Sequence, residues 1–409
     1  MGYVWPEPTS SAAGSRILSL AQCFLKAGYR ILFASAAQTT ENSQDLKDLG
    51  LSARAILLNH ESFNRSLKEW KPDIVVFDRF ITEEQYGFRV QSVCPNALRI
   101  IDTEDFHSLR EARRLILKEN GEEFPLDALL DENRLIGKMQ ETELCYREIA
   151  SYTRSDLNLM ISDFESYLLQ KFFKFSEQKI HTIPFLSQEN ARGPAFEERR
   201  DFVSIGSFRH APNVDACLWL CRTLWPEIRK KLPKASLNLY GSYITPQMSQ
   251  LHSPENGIFM RGRAYSAHEV LRHSRVLLAP LRFGAGQKGK ILDALQTKTP
   301  YVTTPIGTEG MQNQAGVEVR NAGDFVKQAI LLYENQKLWN SFHQAASSEF
   351  ERLFSFEDHQ KSLIKRISFL QENLLKHRKT GFMERMLNFH SSRASRFMSQ
   401  WIEEKNAKS

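Results

Sequence analysis

Short apolar runs and helix-period segments alternate along this chain, and the alternation stops and restarts near residue 200. In the first half the runs are Arg30–Ser35, Ala53–Leu58, 71–78 (KPDIVVFD), 97–102 (ALRIID), Asn158–Ser162 and Ile180–Pro184, while Tyr3–Trp5 reads as the end of a further strand. In the second half they are Phe202–Gly206, Ser236–Gly241, Ile258–Arg261, Val276–Leu281, Tyr301–Thr304 and Val317–Val319. Helical patterns fall between these at Asn213–Leu232, Ser266–Ser274, Gln287–Gln296 and Ala322–Tyr333. Strands buried on both faces need continuous apolar runs, and parallel pairing needs a helical crossover between strands. The pattern predicts an α/β chain of two doubly wound, Rossmann-like domains facing a cleft, with ligands at the carboxyl ends of the strands.

The stretch 187–200 (SQENARGPAFEERR) lacks apolar periodicity and is rich in charge, as a linker would be. The expected division is therefore an acceptor-side domain over 1–186, the linker over 187–200, a second domain over 201–345, and C-terminal helices with a basic tail over 346–409. With 42% hydrophobic residues, each domain can build its own core. The five cysteines, Cys23, Cys94, Cys145, Cys217 and Cys221, form no C-x-x-C and no metal spacing, which suits a reducing compartment. The start, MGYVWPEPTS, has neither the basic region nor the apolar core of a signal peptide. A cytoplasmic protein is expected, or one held peripherally at the inner face of the cytoplasmic membrane.

The net charge of +6 is concentrated at one end. From Lys376 to Lys408 there are eight Lys and Arg against three Glu. Phe382, Met386 and Phe389 share one helical face there, and Phe397, Met398, Trp401 and Ile402 form another. Two readings stand: attachment to an anionic membrane, or helices packing back across the domains. No nucleic-acid motif accompanies the basic tail, so no nucleic-acid partner is expected.

Residues 283–295 (FGAGQKGKILDAL) concentrate the chemistry. A dinucleotide fingerprint belongs in the first strand–helix turn of its domain, whereas this loop follows the fourth strand. A P-loop needs Ser or Thr after its lysine, and Ile291 stands there. The remaining reading is a glycine loop, Gly284 and Gly286, opening a helix whose free N–H groups attract phosphate. Lys288 and Lys290 add positive charge, and Asp293 lies one helical turn beyond Lys290 on the same face. Phosphates over the helix start and sugar hydroxyls one turn deeper suit a nucleoside diphosphate.

The stretches LRFGAGQKGKILDALQTKTPYVTTPIGTEGM and IGSFRHAPNVDACLWLCRTLWPEIRKKLPKASLNLYGS (205–242) resemble the donor-binding region of GT-B glycosyltransferases of the retaining family 4 type. PEPTSSAAGSR, KPDIVVFDRF and DLNLMISDFE resemble the family more loosely. The resemblance implies a transferase moving a sugar from a nucleoside diphosphate to a glycan or lipid-linked acceptor, in polysaccharide biosynthesis, with retained stereochemistry. It implies that Asp293 contacts ribose, that Lys290 and Lys288 neutralise the diphosphate, that Gly206 and Ser207 approach the phosphates, and that Arg261 lies near the base. Arg209 stands beside that phosphate turn. With cations in these places, no metal and no cofactor is expected. The family's first motif acid falls on Ala285, and the first strand holds few residues before the glycine loop, so the chain starts downstream of the true beginning or the strand is stunted. A non-catalytic nucleotide-sugar-binding protein and a GT-B epimerase are the alternatives.

On the acceptor side, Gly14 and Ser15 open the first helix at the expected cleft. The loop RIIDTEDFHSLR brings Asp102, Glu104, Asp105 and His107 out at the end of a strand. Asp105 is the expected catalytic partner of Lys290, with Asp102 and His107 as alternates; the competing reading makes Asp105 a helix cap.

Overall fold

The computed structural model describes residues 1–121, 125–187, 193–311 and 315–407. Its strands are β1 (Leu32–Ser35), β2 (Ser52–Ala55), β3 (Ile74–Asp78), β4 (Leu98–Asp102), β5 (Leu157–Met160), β6 (Ile180–Thr182), β7 (Arg200–Ile205), β8 (Leu237–Tyr240), β9 (Ile258–Gly262), β10 (Ser274–Ala279), β11 (Tyr301–Thr303) and β12 (Gly316–Glu318). Among the described residues they form a six-stranded sheet in the order β12-β11-β10-β7-β8-β9, a four-stranded sheet β3-β4-β5-β6 and a pair β1-β2, with parallel pairing throughout.

These are the apolar runs of the sequence, and burial explains them. Leu98, Ile100 and Ile101 of β4 and Leu277, Leu278 and Ala279 of β10 are wholly buried, because helices cover both faces of each sheet. Two strands differ from the sequence reading: β2, which is largely exposed and ends before residues 56–58, and the first. Tyr3–Trp5 is not a strand; Met1 and Gly2 instead bridge β1 and β3. Gly2 N–H donates to Ala34 at 2.8 Å, Asp78 N–H donates to Met1 at 2.9 Å, and the Met1 amino group donates to Val76 at 2.8 Å.

Part of the expected linker, 188–192, lies outside the described residues, as does 122–124 in the polar break after the helix His107–Asn120. The expected boundary at 345/346 falls inside the helix Gln336–Phe354, which packs on the second domain through Trp339, Ala346, Phe350 and Phe354. The chain turns at Ser355. The next helix, Phe356–Thr380, buries Phe356, Leu363, Ile367 and Leu370 against Leu20, Phe24 and Leu98 of the first domain. Ser187, at the start of the linker, bridges Ser355 in parallel, at the turn where the chain returns to the first domain.

Candidate donor-binding cleft

A cleft of about 780 Å³ opens between the domains at the carboxyl ends of their strands. That volume is in the usual range for a small-molecule site. Three helices of eight or more residues, Ala12–Lys26, Ala211–Trp219 and Gly289–Gln296, begin at this cleft. Their positive dipole ends converge where an anion would lie. The convergence is close: a Cβ on Gly289 would stand 2.7 Å from the Ala12 Cβ of the opposing helix.

The donor-side residues assemble as one network. Lys290 Nζ donates to Asn213 Oδ1 at 2.9 Å, and Asn213 Nδ2 donates to the Ser207 carbonyl at 2.9 Å. Gly206 has no room for a side chain, since a Cβ would fall 2.6 Å from Asn213 Nδ2. Lys290 is thus held over the turn after β7, with Asp293 one turn deeper and in contact with His268 at 3.3 Å. Asn213 was not singled out by sequence. Asn213 stands near the start of the helix that follows the Gly206–Ser207 turn, where a side chain reaches back to that turn.

Lys288 folds over its own loop and donates to the Ala285 and Gly286 carbonyls. Burial, opposed by Glu309 and reinforced by Arg113, brings Lys288 down to about 8. Burial likewise brings Lys290 down to about 8, with Cys217 and Asp293 opposing and Lys288 reinforcing. Both lysines therefore stand in a place that disfavours their charge until an anion arrives. Arg209 also lines the cleft, its guanidinium over the Tyr243 ring.

Several residues lie elsewhere than expected. Arg261 is exposed on β9, bonded to Asn238 at 2.8 Å and stacked on Phe259, outside the cleft. Arg263, two residues on, faces the cleft and reaches Thr9 of the first domain at 2.7 Å. Gly286 does not face the ligand space; its N–H donates to Glu165 at 2.6 Å, across to the first domain. Gly14 packs against the Glu7 backbone, where a Cβ would meet atoms at 2.5 Å. Asp102 is wholly buried and paired with Arg16 at 2.7 Å, so it cannot meet a substrate.

Ser15, Asp105 and His107 do line the cleft, as does Glu104. Asp105 does not cap the following helix. That helix, His107–Asn120, begins on two buried carboxylates from distant helices: Glu148 accepts from His107 and Ser108 N–H at 2.8 Å each, and Glu165 from Phe106 N–H at 3.1 Å. Asp105 is left to bind Arg110 and His107, the latter at 3.1 Å. Burial would raise its pKa, but Arg110 and His107 hold it well below the usual carboxylate range. Glu104 sits at φ +57° and Arg79 at φ +70°, and the two pair at 2.7 Å. Strained non-glycine backbone of this kind gathers at functional clefts. Among the described residues, no group of three His, Cys, Asp or Glu side chains converges as metal ligands would.

Two parallel α/β domains enclosing a cleft at their carboxyl edges define the GT-B fold, with a final helix returning to the first domain. Residues 199–335, within the second domain and its approach, match the family described as Glycosyl transferases group 1. No curated protein matches the chain by sequence. Among solved structures, Anabaena HepE in complex with UDP superposes with a TM-score of 0.62 at 10% identity, over 90% of this chain and 100% of that one. A glycosyltransferase from Rickettsia africae gives 0.59 at 13% identity, over 89% and 95%. S. aureus TarM gives 0.54 at 15% identity; 74% of this chain matches, and it spans 57% of that protein.

Proposed function

We propose that the chain is a retaining glycosyltransferase that moves a sugar from a nucleoside diphosphate to a glycan or lipid-linked acceptor without a metal. The observation that carries this reading is the Lys290–Asn213–Ser207 network, seated where three helix N-termini meet. Diphosphate oxygens would lie against Lys290, Lys288 and the Gly206–Ser207 turn, with the ribose on Asp293. Breaking the anomeric C–O bond leaves negative charge on the diphosphate. Fixed cations and N–H groups stabilise that charge without reorganising. Lys290 then acts on the leaving group. Asp105, kept ionised by Arg110 and His107, is a fixed negative charge for the cationic sugar carbon rather than a proton donor. Domain closure would exclude water, which would otherwise hydrolyse the donor. HepE, of the same fold, is seen in complex with UDP and glucose, which supports a uridine donor as the first one to try.

The test is a thermal-shift titration with uridine and other nucleoside diphosphates, on wild type and Lys290→Ala, followed by product analysis. A ligand at a hundred times its Kd stabilises by about 2.7 kcal/mol. A shift in wild type that the variant loses, together with a transferred sugar, supports the proposal. An isomerised sugar would make the chain an epimerase. Binding with neither product would make it a non-catalytic binding protein, the outcome that Ala285 in the motif favours.

A further inference from the structure

The helix Phe382–Ala407 packs with its polar side inward. Asn388, 8% exposed, accepts from Arg99 at 2.9 Å, and Ser399, 2% exposed, accepts from Arg89 at 2.7 Å. Glu403 accepts from the Glu61 N–H at 2.9 Å. The outward side carries Phe382, Met383, Phe389, Phe397, Met398 and Trp401, each between 53% and 67% exposed. At 100° per residue these surround one direction, opposite Asn388 and Ser399. A helix packed on a globular protein ordinarily does the reverse, burying its apolar stripe and showing water its polar one.

Charge indicates what covers this side. Arg385, Arg393, Arg396 and Lys405 are exposed among the apolar groups. Arg393 lies over the Phe389 ring and Lys405 over the Trp401 ring, each at 5.3 Å. Glu404 is the exposed carboxylate among them, so the face is strongly cationic. The cationic edge continues onto the preceding helix, where Lys376 and Lys379 are exposed beside Leu375. Aromatic, Met and Arg side chains mixed on one helical face fit the boundary of a bilayer, with rings at the acyl edge and cations among the headgroups. Among the described residues no helix is long and apolar enough to cross a membrane, so the segment would lie in the interface plane. We propose that this face docks the protein on a bilayer rich in anionic lipid headgroups. The proposal stands on the C-terminal helix alone and is independent of the donor-site reading.

The test is flotation of the full chain with vesicles of phosphatidylcholine alone or mixed with phosphatidylglycerol. Two variants are compared with wild type, Phe397→Glu/Trp401→Glu and Arg393→Glu/Arg396→Glu. All four side chains are exposed, so the fold should persist, and thermal melting checks this. Wild type should float with the mixed vesicles and at least tenfold more weakly with the neutral ones. Each surface cation contributes a factor of roughly five at an anionic surface, so the Arg variant should lose at least tenfold. The apolar variant should lose binding to both. Three results would overturn the proposal: no vesicle binding, vesicle binding that both variants retain, or a wild-type dimer that the apolar variant turns into a monomer. The last would make the face a contact between copies.

Discussion

Across the cleft, the Gly286 N–H donates to the Glu165 carboxylate at 2.6 Å, and the same oxygen accepts from Phe106 N–H at 3.1 Å. One side chain thus ties the glycine loop of the second domain to the start of a helix in the first. Burial and the nearby Asp105 raise Glu165 to about 8, against the pull of the two N–H groups.

The sign of the resulting pH dependence is fixed. Glu165 binds its proton more tightly in the folded state than the usual carboxylate does. Its contribution is fully present at low pH and is lost as pH rises through about 8. In Glu165→Gln the amide oxygen can accept both N–H groups without the charge. The melting temperature of the variant should match wild type near pH 5 and exceed it near pH 8.5. An equal loss at both values would show that the charge is not what the site penalises.

Gly286 should be intolerant of any side chain. Its φ is +65°, and a Cβ would stand 2.9 Å from both Asp105 Cβ and the Glu104 carbonyl. The left-handed conformation alone costs an L-residue roughly 1–2 kcal/mol. Gly286→Ala should therefore lower stability by about 2 kcal/mol or more in calorimetry, with weaker donor binding because the loop can no longer seat on the first domain. A variant within about 0.5 kcal/mol of wild type would refute the packing described here.

Donor affinity should weaken in mild alkali. Burial brings Lys288 and Lys290 down to about 8, and a diphosphate would favour their charged forms. Below 8 both are charged and affinity is at its plateau. Above 8 each lysine must first take up a proton, so the Kd rises, by up to about tenfold per pH unit per lysine. Calorimetric titration of a nucleoside diphosphate from pH 7 to 9.5 measures this. A Kd flat across that range would mean that neither lysine meets the phosphates.

Arg16 and Asp102 are a buried pair whose removal should be unequal. Arg16 is 2% exposed and also donates to the Ile183 carbonyl at 2.9 Å, tying the first helix to the segment just after the last strand of its domain. Arg16→Met leaves Asp102 buried and alone, which should cost about 3–5 kcal/mol. Adding Asp102→Asn removes the stranded charge and should restore part of the loss. Chemical denaturation of the two variants checks the order; a double variant no better than the single one would count against it.

The two larger sheets were readable because they are parallel and covered on both faces, and such strands announce themselves as unbroken apolar runs. That Lys288, Lys290 and Asp293 stand together was readable because one loop and one helical turn hold them. What was hidden depends on distant pairing. Glu148 and Glu165 sit in amphipathic helices and look like solvated charges until the helix at His107 arrives on top of them. Asp102 seemed free because its partner, Arg16, lies 86 positions away. Arg261 gave way to Arg263 because the pairing of β8 with β9 shifts register after Leu239, with Tyr240 opposite Gly262. Such a shift changes which side chains reach the strand's carboxyl end.

The bridge between Ser187 and Ser355 pins the start of one chain crossing to the turn of the other. A lone tether would let the domains slide, twist and separate. A pair pinned together leaves little but rotation about the pin. If the proposed transfer proceeds by closing the cleft, such a joint would return Lys290 to the same place relative to Asp105 each time, and positional accuracy would be built in far from the site itself.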